Sequence, residues 1–348
     1  MTSKERVRKA LMHIQPDVVP VDFACTQSTM EKLIKHYCFD REDQVYDRLD
    51  IDIRLVNPLY TGPELKSYCE NGIQVQESYW GFKKKKYWNG KDYDSITCHY
   101  PFSDCESIDE IEAYQWPNAD WFDYESVKHQ CEKFRDRAII IGSPGVYQYA
   151  TFMREPEKLY MDMALHPELA QKIFDKFVAF ELEYYERILQ AADGQIDILR
   201  CHDDYGTQTS LLFSVDMWKR FFKSNTEKLS NLAHKYKGFY MQHSCGAVRE
   251  IIPELIECGV DALDPVQKVK GMEPEGLKND FGDKICFHGG IDTQFILPSG
   301  TAEDVRRETR YFIETLSVNG GYILYPSQEF QPDVPIENIE MMYKSRYG

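Results

Sequence analysis

A chain of 348 residues with 43% hydrophobic and 14% aromatic content can bury a large core, which excludes a disordered chain. Its length suits two small domains or one large α/β barrel. A formal charge of −16 excludes a protein that wraps nucleic acid, because that needs clustered Lys and Arg. No apolar run reaches the length of a bilayer span. The opening MTSKERVRKALMHI reads as a charged amphipathic helix without a signal-peptide core. The expectation is a soluble, cytoplasmic protein with no membrane partner. Ten cysteines are scattered with no CxxC pair, so they are expected to be reduced, mostly as small core residues.

In chain order, VVPVDFAC (18–25) reads as a first strand, with a helix behind it in STMEKLIKHYC, and IDIRLVNP (51–58) as a second strand. Residues 68–102 alternate aromatic and polar side chains around Asn-Gly pairs at 71–72 and 89–90. That pattern predicts an antiparallel hairpin insertion, whose KKKK run at 83–86 reads as a solvated arm. AIIIGSP (138–144), IDILRCHDD (196–204), GFYMQHSC (238–245), VDALDPV (260–266), KICFHGGI (284–291) and GYILYPS (321–327) follow as strands. Helical spacing marks 167–192, 215–235, 249–258 and 302–317 between them. Eight apolar strands, most followed by a helix, predict a (β/α)8 barrel. No Gly-x-Gly-x-x-Gly follows an early strand, which disfavours an open dinucleotide-binding sheet. No linker or repeat divides residues 1–348, so a single domain is expected.

Active-site groups of a parallel barrel sit at the C-terminal strand ends. His202, Asp203 and Asp204 end the fourth strand, and Tyr205 follows them; His243 and Cys245 end the fifth. Asp264 and Gln267 end the sixth, His288 and Asp292 the seventh, and Ser327, Gln328 and Glu329 the eighth. Residues two apart on an extended chain point the same way, so the His243 imidazole and Cys245 thiolate can converge on one ion such as zinc. Adjacent Asp203 and Asp204 point to opposite faces, so at most one of them enters the pocket.

CHDDYGTQTSLLFSVDMWKRFFK (201–223), QHSCGAVREIIPELIECGVDALDPVQ (242–267), FHGGIDTQFILPSGTAEDVRRE (287–308) and ILYPSQEFQPDVPIENIEMMY (323–343) together resemble the uroporphyrinogen decarboxylase-like superfamily. They look like its methyltransferase branch, related to methylcobamide:coenzyme M methyltransferases and to methyltransferases of corrinoid-dependent demethylation. The resemblance implies a (β/α)8 barrel and methyl transfer between a small-molecule donor or acceptor and a corrinoid carried on a partner protein. Zinc would assist at His243 and Cys245, and one of Asp203 or Asp204 would orient substrate or handle a proton. His202 belongs to that catalytic group, while Tyr205, Asp264, Gln267, His288 and Asp292 are the expected substrate- or cofactor-binding residues. Where this branch has a third ligand, a cysteine near the last strand end, this chain has Gln328 flanked by Glu329. Decarboxylases of the superfamily carry an early Arg-Gln-Ala-Gly-Arg-Tyr whose arginines hold the substrate's carboxylates. Here that segment is PVDFACTQSTMEK, with Asp22 and no arginine. A carboxy-lyase, or a binding protein for a tetrapyrrole or corrinoid without catalysis, is the alternative reading.

Overall fold

The computed structural model describes residues 1–347. Seven parallel strands pair in chain order: β1 (Ile53–Leu55), β2 (Ala138–Pro144), β3 (Ile198–His202), β4 (Phe239–His243), β5 (Ala262–Val266), β6 (Cys286–Ile291) and β7 (Tyr322–Pro326). These are the second to eighth strands expected from sequence. The first, 18–25, forms only isolated parallel bridges, Val21 with Leu324 and Cys25 with Phe330. On its other side the Asp52 N–H donates to the Val21 carbonyl at 3.0 Å. The segment thus takes the eighth place of a (β/α)8 barrel without being a ladder strand. Pro20 has no N–H to give, and the Val21 N–H is taken by the Asp52 carboxylate at 2.9 Å, so regular pairing is interrupted.

Inward-facing residues of all seven strands, among them Ile53, Ile140, Ile198, Met241, Ala262, Cys286 and Ile323, form one apolar layer. Val7, Ala10 and Leu11 of helix Ser3–Leu11 complete it from below. The helix closes the N-terminal end of the barrel and leaves the C-terminal end for chemistry. Its basic face is held by aspartates just before β1 and β3: Arg6 Nη1 lies 2.7 Å from Asp52, and Lys4 and Arg8 lie 3.1 and 3.0 Å from Asp197. Asp197 also accepts the Ile139 N–H at 2.9 Å. One buried carboxylate therefore binds the plug helix and two strands together.

The excursion between β1 and β2 is a four-stranded antiparallel sheet rather than one hairpin, with strands Ser67–Glu70, Ile73–Glu77, Lys83–Trp88 and Tyr93–His99. Its Asn-Gly turns have positive φ at Asn71, Gly72 and Gly90, the backbone state such turns require. The linker inside it anchors on helix Pro167–Ala191: Trp80 is buried with its ring 4.6 Å from Phe177. The 89–92 turn instead meets the barrel rim, where Ser28 Oγ donates to Asp92 at 2.8 Å and Lys91 pairs with Asp333 at 2.5 Å. Among the described residues no helix is long and apolar enough to cross a membrane.

Asp197→Ala should lower unfolding stability by roughly 2–4 kcal/mol, because it strands two cations and a buried N–H. Arg8→Ala, at the partly exposed end of the same network, should cost under about 1 kcal/mol. Urea midpoints of the two variants check the ordering, and an equal loss would remove Asp197 as the organising group.

Candidate active site at the barrel mouth

The ends of β3 and β4 bring three ligand-type side chains together. The His243 Nε2, the Cys245 Sγ and an Asp204 carboxylate oxygen lie within 4.8 Å of one another. His243 Nε2 is 3.5 Å from Cys245 Sγ and 3.4 Å from Asp204 Oδ1. Asp204 Oδ1 also accepts the Cys245 N–H at 2.9 Å, which ties the two strand ends. The other imidazole nitrogen, Nδ1, donates to Asp264 Oδ2 at 2.8 Å. A carboxylate can only accept, so that bond puts the proton on Nδ1 and, in the neutral ring, leaves Nε2 as the free electron pair. Burial disfavours the His243 cation. Asp264 and then Asp204 more than offset this and hold its pKa well above the ordinary value. Burial likewise works against the Asp204 anion, but His243 brings its pKa below the usual value.

Asp264 is almost wholly buried and shared. Its second oxygen lies 2.6 Å from His288 Nδ1, and His288 Nε2 is 3.2 Å from Asp22. The His288 ring is buried under Tyr325, 4.4 Å centroid to centroid. Burial opposes its protonation, yet Asp264 and Asp22 raise its pKa. His202, on the same face of β3, stacks on His243 at 4.7 Å, and its Nε2 has no hydrogen-bond partner. Burial, then Arg200 and His243, push its pKa well below the ordinary value, so it is a neutral imidazole.

Several expected site residues stand elsewhere. Asp203 lies behind β3, where it accepts the Gln148 N–H at 2.8 Å and the Tyr205 hydroxyl at 2.9 Å. Burial pushes its pKa up to about 7. A Cβ on Gly145 would come within 2.5 Å of its carboxylate, so only glycine fits there. Tyr205 is buried in the same outer layer, its ring 5.3 Å from Phe222, and cannot meet a ligand in the mouth. Gln267 accepts the Gly246 N–H at 2.7 Å and supports the loop after Cys245. Asp292 accepts the Gln294 N–H at 2.7 Å and the Phe295 N–H at 3.2 Å, holding the turn before helix Ile296–Ser299. His288 and Asp264 hold His243 from behind, buried beyond reach of a ligand.

Of the two candidates for the third ligand, only Gln328 approaches. Its amide nitrogen is 3.6 Å from Cys245 Sγ, and a half-turn of the amide presents the carbonyl oxygen at the same place. Glu329, one residue on, is half-buried beside Gln331 at 3.4 Å and lies outside the ligand cluster. Asp204, expected only to orient substrate or carry a proton, is the acidic member of that cluster. Imidazole, thiolate and carboxylate with an open side suit a catalytic zinc, and the Asp264 bond to Nδ1 is the support such a histidine ligand needs.

Sequence reasoning missed Arg200. It stands two residues before His202 on the same face of β3 and lines a cavity of about 210 Å³ with Asp22, Cys25, Tyr46, Leu55 and Ile140. That spacing, a charged residue at the inward register of a barrel strand, was readable. A larger cavity of about 780 Å³ lies on the flank around Cys105, Arg154 and Asp162. Its arginine and aspartate pair with each other, so the strand-end site has the better chemistry.

Behind Asp203, Glu181 of helix Pro167–Ala191 is buried with neither oxygen hydrogen-bonded. Burial, then Asp203, raises its pKa well above 4.5. A carboxyl with a raised folded pKa contributes full stability below its unfolded value and loses it as pH rises towards the folded one. Wild-type stability should therefore fall from about pH 4.5 upwards, and Glu181→Gln should flatten that fall. Urea midpoints at pH 5 and pH 8 measure it, and parallel losses in both proteins would show Glu181 to be ionised without cost.

Residues 96–347, nearly three quarters of the chain, match the family described as Uroporphyrinogen decarboxylase (URO-D). Over 135 residues the chain is 28% identical to "Methylcobamide:CoM methyltransferase MtaA" of Methanosarcina barkeri, covering 39% of this chain and 37% of that protein. The protein of the same name from strain Fusaro / DSM 804 is 27% identical over the same shares. The match thus spans little more than a third of the length of these curated relatives. A solved "methyltransferase from Methanosarcina mazei" superposes on 100% of this chain and 98% of its own with a TM-score of 0.73 at 17% identity, a likeness of fold. With a barrel whose strand ends carry the cluster described above, the chain belongs to the uroporphyrinogen decarboxylase (URO-D) family.

Proposed function

We propose that this protein is a corrinoid-dependent methyltransferase, moving a methyl group between a small molecule and the cobalt of a corrinoid carried by a partner protein. The observation that carries the reading is the Asp204–His243–Cys245 cluster at the barrel mouth, backed by Asp264. Partial similarity to a methylcobamide:CoM methyltransferase supports it. His243, Cys245 and Asp204 would hold zinc, with the Gln328 amide as a weak neutral donor. When bound, zinc supplies a Lewis acid that polarises a thiol, or the oxygen of a methyl ether, on the incoming substrate. Asp264 orients the His243 ring, and the neutral His202 stacks on that ring and holds its plane. Asp203, behind the sheet, has a structural role here.

The four-stranded insertion would form a lip for the corrinoid protein. Its 89–92 turn is fastened to the rim, and Trp88 and Tyr93 stand beside it 57% and 67% exposed. Carboxy-lyase chemistry on uroporphyrinogen is disfavoured because Asp22 occupies the early segment and is already engaged by His288. Arg200 is a single guanidinium, against the substrate's eight carboxylates.

Zinc retention against a chelator at fixed pH tests the ligand set, since ligand deprotonation makes affinity pH-dependent. His243→Ala, Cys245→Ser and Asp204→Asn should each release the metal, and Asp264→Asn should weaken it by about 10–100-fold. Gln328→Cys should tighten it by adding a thiolate, and Glu329→Ala should leave it unchanged. Equal retention throughout would remove the metal from the site.

The activity is followed by the absorbance change of methyl-cobalt on mixing zinc-loaded protein with methylcobalamin and a thiol, or cobalt(I) corrinoid with a methyl ether. His243→Ala and Cys245→Ser should abolish it while the fold is kept. Undiminished transfer in both variants, or coproporphyrinogen formation at an enzymatic rate by the wild type, would overturn the reading.

A further inference from the structure

Arg200 is a cation that the rest of the molecule leaves incompletely used. Its side chain is only 13% exposed, and the one acidic oxygen within ion-pair range, among the described residues, is Asp264 Oδ2 at 3.7 Å. Its Nε has no hydrogen-bond partner. The carboxylate facing it is already engaged by His243 at 2.8 Å and by His288 at 2.6 Å, and Asp22 across the cavity is engaged by His288 at 3.2 Å. An arginine fork has five N–H donors, and a buried one without acceptors is costly. The same barrel shows the satisfied alternative. Arg54, also buried, gives its donors to the Ile51 and Ile53 carbonyls and to Asp47.

The space in front of Arg200 is small and two-sided. Met30, Tyr46, Leu55 and Ile140 form an apolar wall, and Arg200 the cationic end, of a cavity of about 210 Å³. That is below the roughly 300–1,000 Å³ of pockets for drug-sized ligands, so the occupant has the size of a single ring or a short chain. Asp22 and Glu42 on the same lining raise the cost of a dianion, which selects a monoanion over phosphate.

We infer that Arg200 receives the carboxylate of a small monocarboxylic substrate, whose apolar body lies against Leu55 and Ile140. The inference rests on the reading of the barrel mouth as the reaction site, and it narrows the methyl donor or acceptor to carboxylic acids. A carboxylate pairs bidentately with guanidinium, which would fix the ligand's orientation relative to the His243 cluster across Asp264.

The test is direct binding by titration calorimetry on the full chain, without corrinoid and at fixed ionic strength. The probes are 4-methoxybenzoate and methoxybenzene, matched in shape and differing in the carboxylate. Wild type should bind 4-methoxybenzoate at least about tenfold more tightly than methoxybenzene. Arg200→Met should remove that preference while leaving methoxybenzene binding as it was, and Arg200→Lys should restore part of it. Leu55→Trp, at a half-exposed position on the lining, should weaken both probes and so locate them in this cavity. Equal affinity of the two probes for wild type, or an undiminished preference in Arg200→Met, overturns the inference. Inorganic phosphate displacing 4-methoxybenzoate at comparable concentration overturns the choice of carboxylate. Because no methyl transfer is measured, an Arg200-dependent preference would stand even if the methyl-cobalt assay failed, and the two readings fall separately.

Discussion

A carboxylate buried to 1% exposure, Asp264, organises the mouth of this barrel. An ion so placed costs several kcal/mol unless it is compensated, and two imidazoles compensate it, His243 at 2.8 Å and His288 at 2.6 Å. The consequence is directional. With Nδ1 committed to Asp264, His243 can present only Nε2 to Cys245 and Asp204. Through His288 the same carboxylate reaches Asp22 in the bridging segment between β7 and β1. One hydrogen-bonded row thus links the candidate metal ligands to the place where the barrel closes, so closure and site geometry depend on the same groups.

The opposite end of the barrel uses aspartate for adhesion instead. Asp52 and Asp197 stand just before their strands, each accepting a neighbouring backbone N–H and a cation from the plug helix. Asp261, before β5, accepts the Tyr240 N–H at 2.7 Å in the same manner. Between the two polar ends lies the layer of Ile, Met, Ala and Cys side chains. Carboxylates below are saturated by backbone and basic side chains and have no capacity left. Asp264 above is shared with His243, whose other nitrogen faces the opening, and with Arg200, whose other donors line a cavity there. That asymmetry leaves uncommitted donors and acceptors at one end only.

Adjacent Asp203 and Asp204 show how finely the strand period divides labour. Asp204 turns to the mouth and is held ionised beside His243. Asp203 turns outward beneath Gly145 and Tyr205, where burial pushes its pKa up to about 7. Identical side chains one residue apart thus serve a ligand cluster and a buried structural bond. The difference comes entirely from which side of β3 each one leaves.

Legible in the sequence were the alternation of strands and helices, an insertion after the second expected strand (51–58), the convergence of His243 with Cys245, and the split between Asp203 and Asp204. These follow from periods of two and about 3.6 residues along one chain, and need no knowledge of neighbours. That 18–25 pairs only through isolated bridges was not legible in the sequence, because which carboxylate takes the Val21 N–H depends on the fold. Only the tertiary structure decided that Asp204 joins His243, that Gln328 rather than Glu329 approaches Cys245, that Gln267 and Asp292 serve backbone, and that Arg200 faces a cavity with its donors unused. Each of those outcomes depends on distances between strand ends remote in the chain, set by barrel register and by which groups reach a shared acceptor first. Local spacing names the residues that can meet; the packing of neighbouring strands selects the ones that do.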